Sequence, residues 1–146
     1  MVSKPNKWTA TQQLEHIYLS VKIVRQVLTL PPFLIKLIWG KSNKKSRTYD
    51  ELVKKYQLKL ENGGRATSGF VPKFVTHQQA LSLLKSLKKE VISLNKKLDK
   101  FSEEELDSLV LPHPLLGKLS IRETLYFTIY HVAHHEAQTK LNLKIN

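Results

Sequence analysis

The segment HQQALSLLKSLKKEVISLNKKLDK, residues 77–100, decides the class of fold. It contains neither glycine nor proline, and its apolar residues recur in alternating steps of three and four. This is the period of one face of an α-helix, and a stripe of this kind forms a seam for neighbouring helices. The segment therefore predicts a long amphipathic helix inside a bundle, with a seam formed by Leu84, Leu87, Val91, Leu94 and Leu98.

Four short patterns mark where helices begin. Each has Ser or Thr followed three residues later by Glu or Gln, ahead of sequence with helical apolar spacing. In such a capping box the hydroxyl accepts a hydrogen bond from an early backbone amide, and the Glu or Gln side chain accepts one in return. The four pairs are Thr9 with Gln12, Thr76 with Gln79, Ser102 with Glu105, and Ser120 with Glu123.

Prolines and glycines set the other boundaries. Pro31-Pro32 ends the first helix, and Asn62-Gly63-Gly64 ends a later one. The predicted helices cover residues 10–30, 33–39, 50–60, 77–100, 103–109 and 121–140, with an extended crossover at 65–75 and a rigid loop at 111–117. A chain of 146 residues is long enough for one hydrophobic core. We therefore expect a single all-α domain over residues 1–146, a helix bundle with long crossovers.

The composition excludes several kinds of site and location. The chain has no cysteine, which excludes disulfides and thiolate ligands and fits a reducing compartment. Residues 1–8 do not resemble a signal peptide, and lysines, an arginine and prolines interrupt the apolar stretch at residues 17–39. The expectation is a cytoplasmic protein without a membrane span. Any metal site must use His, Asp or Glu.

The charge leaves a second class of function open. The formal net charge is +12, which would favour an acidic partner such as nucleic acid or anionic lipid. However, the lysines are scattered in ones and twos, as on a solvated surface, and no nucleic-acid-binding motif accompanies them. A non-catalytic helical binding protein with a basic surface is therefore the alternative, and we do not expect nucleic acid as the partner.

Two histidines on the last helix, His131 and His135, could bind one metal ion. Residues four apart lie above one another on a helix, so two imidazoles can reach the same ion. Val132 follows His131, which excludes the zinc-protease helix with its catalytic Glu at that position. The pair shares one side of the helix with several polar residues, and two interpretations stay open: a metal site, or a solvated face. That polar stripe is Thr124, Phe127, Thr128, His131, His135, Gln138 and Asn142.

Three segments together resemble the DinB/YfiT-like superfamily. They are WTATQQLEHI at residues 8–17, PHPLLGKLS at 112–120, and HVAHHEAQ at 131–138. In that superfamily a Trp opens a helix that carries a His eight residues later. An HP-x-x-G-x-L loop, in one branch, leads into a final helix with H-x-x-H-H-x-x-Q. All three segments occur here in the family's order.

The resemblance implies both a fold and a site. The fold is a four-helix bundle of the up-down-down-up type, and the site is one divalent ion held by His16, His131 and His135. Nickel or zinc is typical of the family, with manganese, iron or cobalt as further options. Family activities imply a metal-dependent hydrolase or a thiol-dependent transferase, acting on a small molecule or a low-molecular-weight thiol. His113 and His134 are not family ligands.

The chain departs from the family pattern in two places. Relatives usually have a further helix before the Trp, whereas seven residues precede Trp8 here. Residues 33–60 could supply the fourth bundle element, a partner subunit could, or the reading frame starts late; a homodimer would also cover an exposed seam. In addition, Glu136 and Ala137 replace residues common in relatives. Glu15 and Glu123 lie near the ligand helices without an assigned role.

Overall fold

A computed structural model describes residues 7–144 of the chain. Within that range the secondary structure is helical apart from one hairpin and the connecting segments. The elements are α1 (Ala10–Val27), α2 (Pro32–Trp39), α3 (Tyr49–Glu61), a 3-10 turn (Ser68–Phe70), α4 (His77–Leu98), α5 (Glu103–Ser108), β1 (Val110–His113), β2 (Gly117–Ser120) and α6 (Ile121–Leu143). The prediction of an all-α fold is confirmed, with a small two-stranded sheet in addition.

The helix starts follow the predicted caps. All four capping boxes form, with the hydroxyl and the Glu or Gln side chain each accepting a backbone hydrogen bond. A fifth box, in which Thr48 pairs with Glu51, begins α3 and was absent from the prediction. These contacts link residues only three apart, so local sequence is enough to specify them.

Several helix ends differ from the prediction by one to three residues. The first helix ends at Val27 rather than residue 30, because the amides of Thr29 and Leu30 bond three residues back, in tighter turns, before Pro31. The last helix runs to Leu143, beyond the predicted residue 140, and stops where Lys144 adopts a left-handed conformation with φ of 54°.

The prediction of a rigid loop at residues 111–117 is wrong, because this segment belongs to an antiparallel hairpin. Val110 pairs with Ser120, and His113 pairs with Gly117. Pro112 fits within β1 because both strands of a two-stranded sheet are edges, where a missing amide proton is tolerated. Gly117 has a φ of 76°, the left-handed conformation that closes a short hairpin loop.

Four long helices pack side by side in the order α4, α1, α6, α3. The Lys100 ammonium donates to the carbonyls of Thr29 and Leu30. The C-terminal ends of α4 and α1 therefore lie together, and the two helices are parallel. At the opposite end of α1, the Asn142 amide contacts the Trp8 carbonyl, so α6 is antiparallel to both. These directions fit the last three helices of an up-down-down-up bundle.

Among the described residues the fourth helix that packs in the bundle is α3 (Tyr49–Glu61), which overlaps the segment named in the first of the three alternatives, residues 33–60. It runs parallel to α6, because Arg47 pairs with Glu123 at one end and Gln57 donates to the Tyr130 hydroxyl at the other. Helices α1 and α3 thus lie on two sides of α6, and a cavity between them is lined by both.

The predicted seam of α4 is only partly covered. Leu94 is buried against α1, and Leu87 and Leu98 pack at the edge of the same core. Leu84 and Val91, by contrast, are 54% and 41% exposed, because α4 packs against α1 alone among the long helices. No helix within residues 7–144 is long and apolar enough to cross a membrane.

Candidate metal centre

The first and last helices of the described residues, α1 and α6, meet at three histidine rings. His16 lies on the inner face of α1, and His131 and His135 lie one turn apart on α6. The Nε2 atom of His131 is 3.0 Å from that of His16 and 2.9 Å from that of His135. All three rings are buried, with 4 to 7% of each residue exposed. One donor atom from each of the three residues lies within 4.8 Å of the others.

Hydrogen bonds from two of these rings fix where their protons lie. His16 donates its Nδ1 proton to the carbonyl of Phe70 at 2.6 Å. His135 donates its Nδ1 proton to the side-chain oxygen of Gln13, which is also buried on α1. In a neutral imidazole the other nitrogen then carries a lone pair. Both Nε2 lone pairs therefore point at the centre of the cluster.

Burial keeps the three imidazoles neutral. It lowers the pKa of His131 to about 2 and that of His135 to about 3, with smaller contributions from the neighbouring histidines. It also lowers the pKa of His16, against the opposing effect of the bond to Phe70. Only neutral imidazole binds a metal ion, so protons do not compete for these nitrogens near pH 7.

The donor set fits a divalent ion. Nitrogens about 2.0–2.1 Å from a tetrahedral ion lie about 3.3 Å from one another. The observed separations of 2.9 and 3.0 Å are close to that spacing. The His131 Nε2 atom could carry one proton and donate it to only one of its two neighbours, so its other contact would press two nitrogen atoms together without a hydrogen bond, which is repulsive. A cation at the centre would remove that repulsion. Three buried histidines here could thus hold a metal ion.

Aromatic side chains enclose the cluster. The Trp8 ring lies 4.9 Å from His16 and 6.2 Å from His135, measured between ring centroids. Phe127 stacks on His131 at 4.9 Å. The cluster opens into a cavity of about 680 Å³ between α1, α3, α6, the crossover and the hairpin. This volume is in the range of small-molecule sites.

His113 lies in the wall of this cavity, at the end of β1. Its Nδ1 atom accepts hydrogen bonds from the amides of Leu115 and Leu116, both at 3.1 Å, so the hairpin turn fixes its tautomer with the proton on Nε2. Its ring centroid lies 4.3 Å from that of Phe127. Burial and the charge of Lys55 lower the pKa of His113 to about 4.

The other residues singled out from sequence lie outside the cluster. His134 lines the cavity, packed beside Tyr56 and His135, but is not one of the three converging residues. Glu136 is exposed and pairs with Lys140. Glu123 is buried in the α6 cap, where it accepts from Arg47.

Sequence reasoning missed several residues of the site, among them Gln13, Tyr56 and Phe70. Gln13 precedes His16 by three residues and so shares its helix face, a signal that could have identified it. Tyr56 lines the cavity from α3 and is buried, which raises its pKa to about 12. Nothing in the local sequence connects α3 to the histidines.

Fold and site together define a class of protein: a helical bundle whose first and last long helices bring three neutral imidazoles to one point. A model of the DinB superfamily matches residues 2–139, nearly the whole chain. The chain belongs to the DinB superfamily. No curated protein and no solved structure gives a significant match.

Proposed function

We propose that this protein is a metal-dependent enzyme that acts on a small molecule, with one divalent ion held by His16, His131 and His135. The observation that carries the proposal is the convergence of three neutral Nε2 atoms, two of them fixed as lone-pair donors by bonds to Phe70 and Gln13. Nickel or zinc suits an all-imidazole donor set, and manganese, iron or cobalt are further options.

Three protein ligands leave a coordination position for a reactant, which is the pattern of a catalytic site rather than a structural one. When bound, the ion would supply a Lewis acid that lowers the pKa of a water or thiol. The chain's own contribution is to orient His16 and His135 through their Nδ1 bonds and to shield the cluster with Trp8 and Phe127.

Two reaction classes fit this arrangement: hydrolysis, and transfer of a low-molecular-weight thiol to a second substrate. Among the described residues that line the cavity there is no Asp or Glu. The proton-holding groups beside the three ligands are His113, His134 and Tyr56. Tyr56 stays a neutral phenol near pH 7 because burial raises its pKa to about 12. It can donate a hydrogen bond to a bound reactant but is not suited to act as a base.

Metal uptake by matched variants tests the proposal. We expect the protein to bind one Zn²⁺ or Ni²⁺ per chain near pH 7, measured by calorimetry and by elemental analysis after desalting. His131→Ala should abolish this uptake because it removes the central ligand. His134→Ala, three residues along the same helix and in the same cavity wall, is the control and should leave uptake nearly unchanged. Equal losses in the two variants, or no uptake by the unmodified protein, would contradict the proposal.

A further inference from the structure

The cavity continues well beyond the three histidines. On α1 its lining runs from His16 through Ser20 and Val24 to Val27, always on the same helix face. Val27 lies eleven positions after His16, which corresponds to about 16 Å at the rise of an α-helix. On α6 the lining runs antiparallel to this, from His135 back to Thr124. The cavity is therefore an elongated groove with the histidines at one end.

The end away from the histidines, here called the distal half, is apolar. It is lined by Ile23, Val24, Val27, Trp39, Leu111 and Thr124. The Thr124 hydroxyl donates to the Ser120 carbonyl at 3.0 Å, so its proton is already used. The same holds for Ser20 and Thr128 nearer the histidines, which donate to carbonyls of their own helices at 2.9 and 2.8 Å. These residues present mainly hydrocarbon to the cavity.

Charge is confined to the rim. Among the described residues that line the cavity, Arg65 is the one Lys, Arg, Asp or Glu. It is exposed, and its guanidinium donates to the carbonyl of Gly64. A charged group placed in the distal half would lose its hydration without gaining a partner.

We propose that the site takes an elongated substrate with an uncharged, apolar body. Its metal-binding group lies at the three histidines, and its hydrocarbon body extends along α1 to Trp39. Carbon–carbon bonds of about 1.5 Å advance an extended chain by about 1.3 Å each, so a groove of about 16 Å holds about twelve carbons. The position of the metal-binding group rests on the proposed function, whereas the apolar character of the distal half does not depend on the ion.

The experiment is a calorimetric titration with 1-butanol, 1-hexanol, 1-octanol and 1-decanol, on both metal-free and zinc-loaded protein. We expect affinity to rise roughly fourfold for each added methylene, the gain for burying that group in an apolar site. If the affinity did not rise from 1-butanol to the longer alcohols, the inference would be overturned. Because these alcohols need no ion, the titration is valid even if zinc does not bind. Loss of zinc binding alone would contradict the proposed function and leave the apolar ligand class supported.

Two variants test where the hydrocarbon chain of the bound alcohol lies. Val27→Phe fills the distal end and should weaken 1-decanol binding by roughly sixteenfold, the equivalent of about two methylenes, while leaving 1-butanol binding unchanged. Gln26→Phe puts the same side chain one residue away, at an exposed position outside the lining, and should change neither. Equal effects of the two variants would overturn the placement along α1. If Val27→Phe also loses 1-butanol binding and melts early, the length series on the unmodified protein still decides the question.

Discussion

His113 shows how one residue can belong to both the fold and the site. Its position between two prolines predicted a loop residue. In the structure its Nδ1 atom accepts hydrogen bonds from the amides of Leu115 and Leu116 and so stabilises the hairpin turn. The same bonds leave the Nε2 proton as the ring's free donor in the cavity wall. Sequence could not predict this, because a histidine that caps a turn has no distinctive spacing.

The low pKa of His113 predicts a specific pH dependence of stability. In the unfolded chain this ring takes up a proton near pH 6.5, whereas in the folded protein it does so only near pH 4. Between those values the unfolded state binds more protons, so the free energy of unfolding falls as the pH is lowered and levels off below about pH 4. The loss should be at most about 3 kcal/mol.

His113→Asn is the variant that isolates this effect. The Asn side-chain oxygen can occupy the place of Nδ1 and accept the same turn amides, but it does not titrate. We expect urea unfolding to show a shallower decline in stability from pH 6.5 to 4 in the variant than in the unmodified protein. The histidines of the cluster titrate in both proteins and cancel in the difference. Parallel pH profiles would show that His113 is not held neutral.

At the scale of secondary structure, α6 carries its polar side inward. Thr124, His131 and His135 are buried, whereas Ile129 and Val132 are 63% and 40% exposed. The solvated-face interpretation of this stripe is therefore wrong. Hydrophobic periodicity assumes that apolar residues face the core. It fails here because helix carbonyls and Gln13 accept the protons of the inward hydroxyls and of the His135 Nδ1 atom, and the three histidines converge where they could hold a metal ion.

The start of α6 is predicted to be the most sensitive of the helix caps. Ser120 is buried, accepts from the Glu123 amide at 3.1 Å and contacts the Ser46 hydroxyl at 2.7 Å. We expect Ser120→Ala to lower the free energy of unfolding by about 1–2 kcal/mol, measured in urea. Ser102→Ala, at the exposed cap of α5, is the matched control and should cost less. Losses of equal size would mean that burial of the cap does not matter.

Elements differ in how far sequence predicts them, for a physical reason. Caps and stop signals depend on neighbours a few residues away, so the starts at Thr9, Thr76, Ser102 and Ser120 could be read directly. The hairpin depends on the pairing of Leu111 with Leu119 and on the His113 side chain, which caps its turn. Two prolines in the segment favoured the prediction of a loop instead. The long helices were therefore predictable, and the element that places His113 was not.

At the scale of the whole molecule, the centre depends on contacts across nearly the full chain. His16 and His131 are 115 residues apart, and no periodicity relates them. The pair of histidines on α6 could be read from spacing, whereas His16 followed only from resemblance to a family. Its partner Gln13 and the cavity wall formed by α3 could be identified only in the packed bundle. The order and direction of the helices decide which of their faces are in contact.

The central claim is that imidazoles from opposite ends of the chain bind a common ion. The most direct test is an anomalous-scattering map of crystals of the zinc- or nickel-loaded protein. We predict one peak per chain, between α1 and α6, about 2.0–2.2 Å from the Nε2 atoms of His16, His131 and His135. A map without a peak at this point, or with the ion bound by His134 in place of His16, would contradict the account.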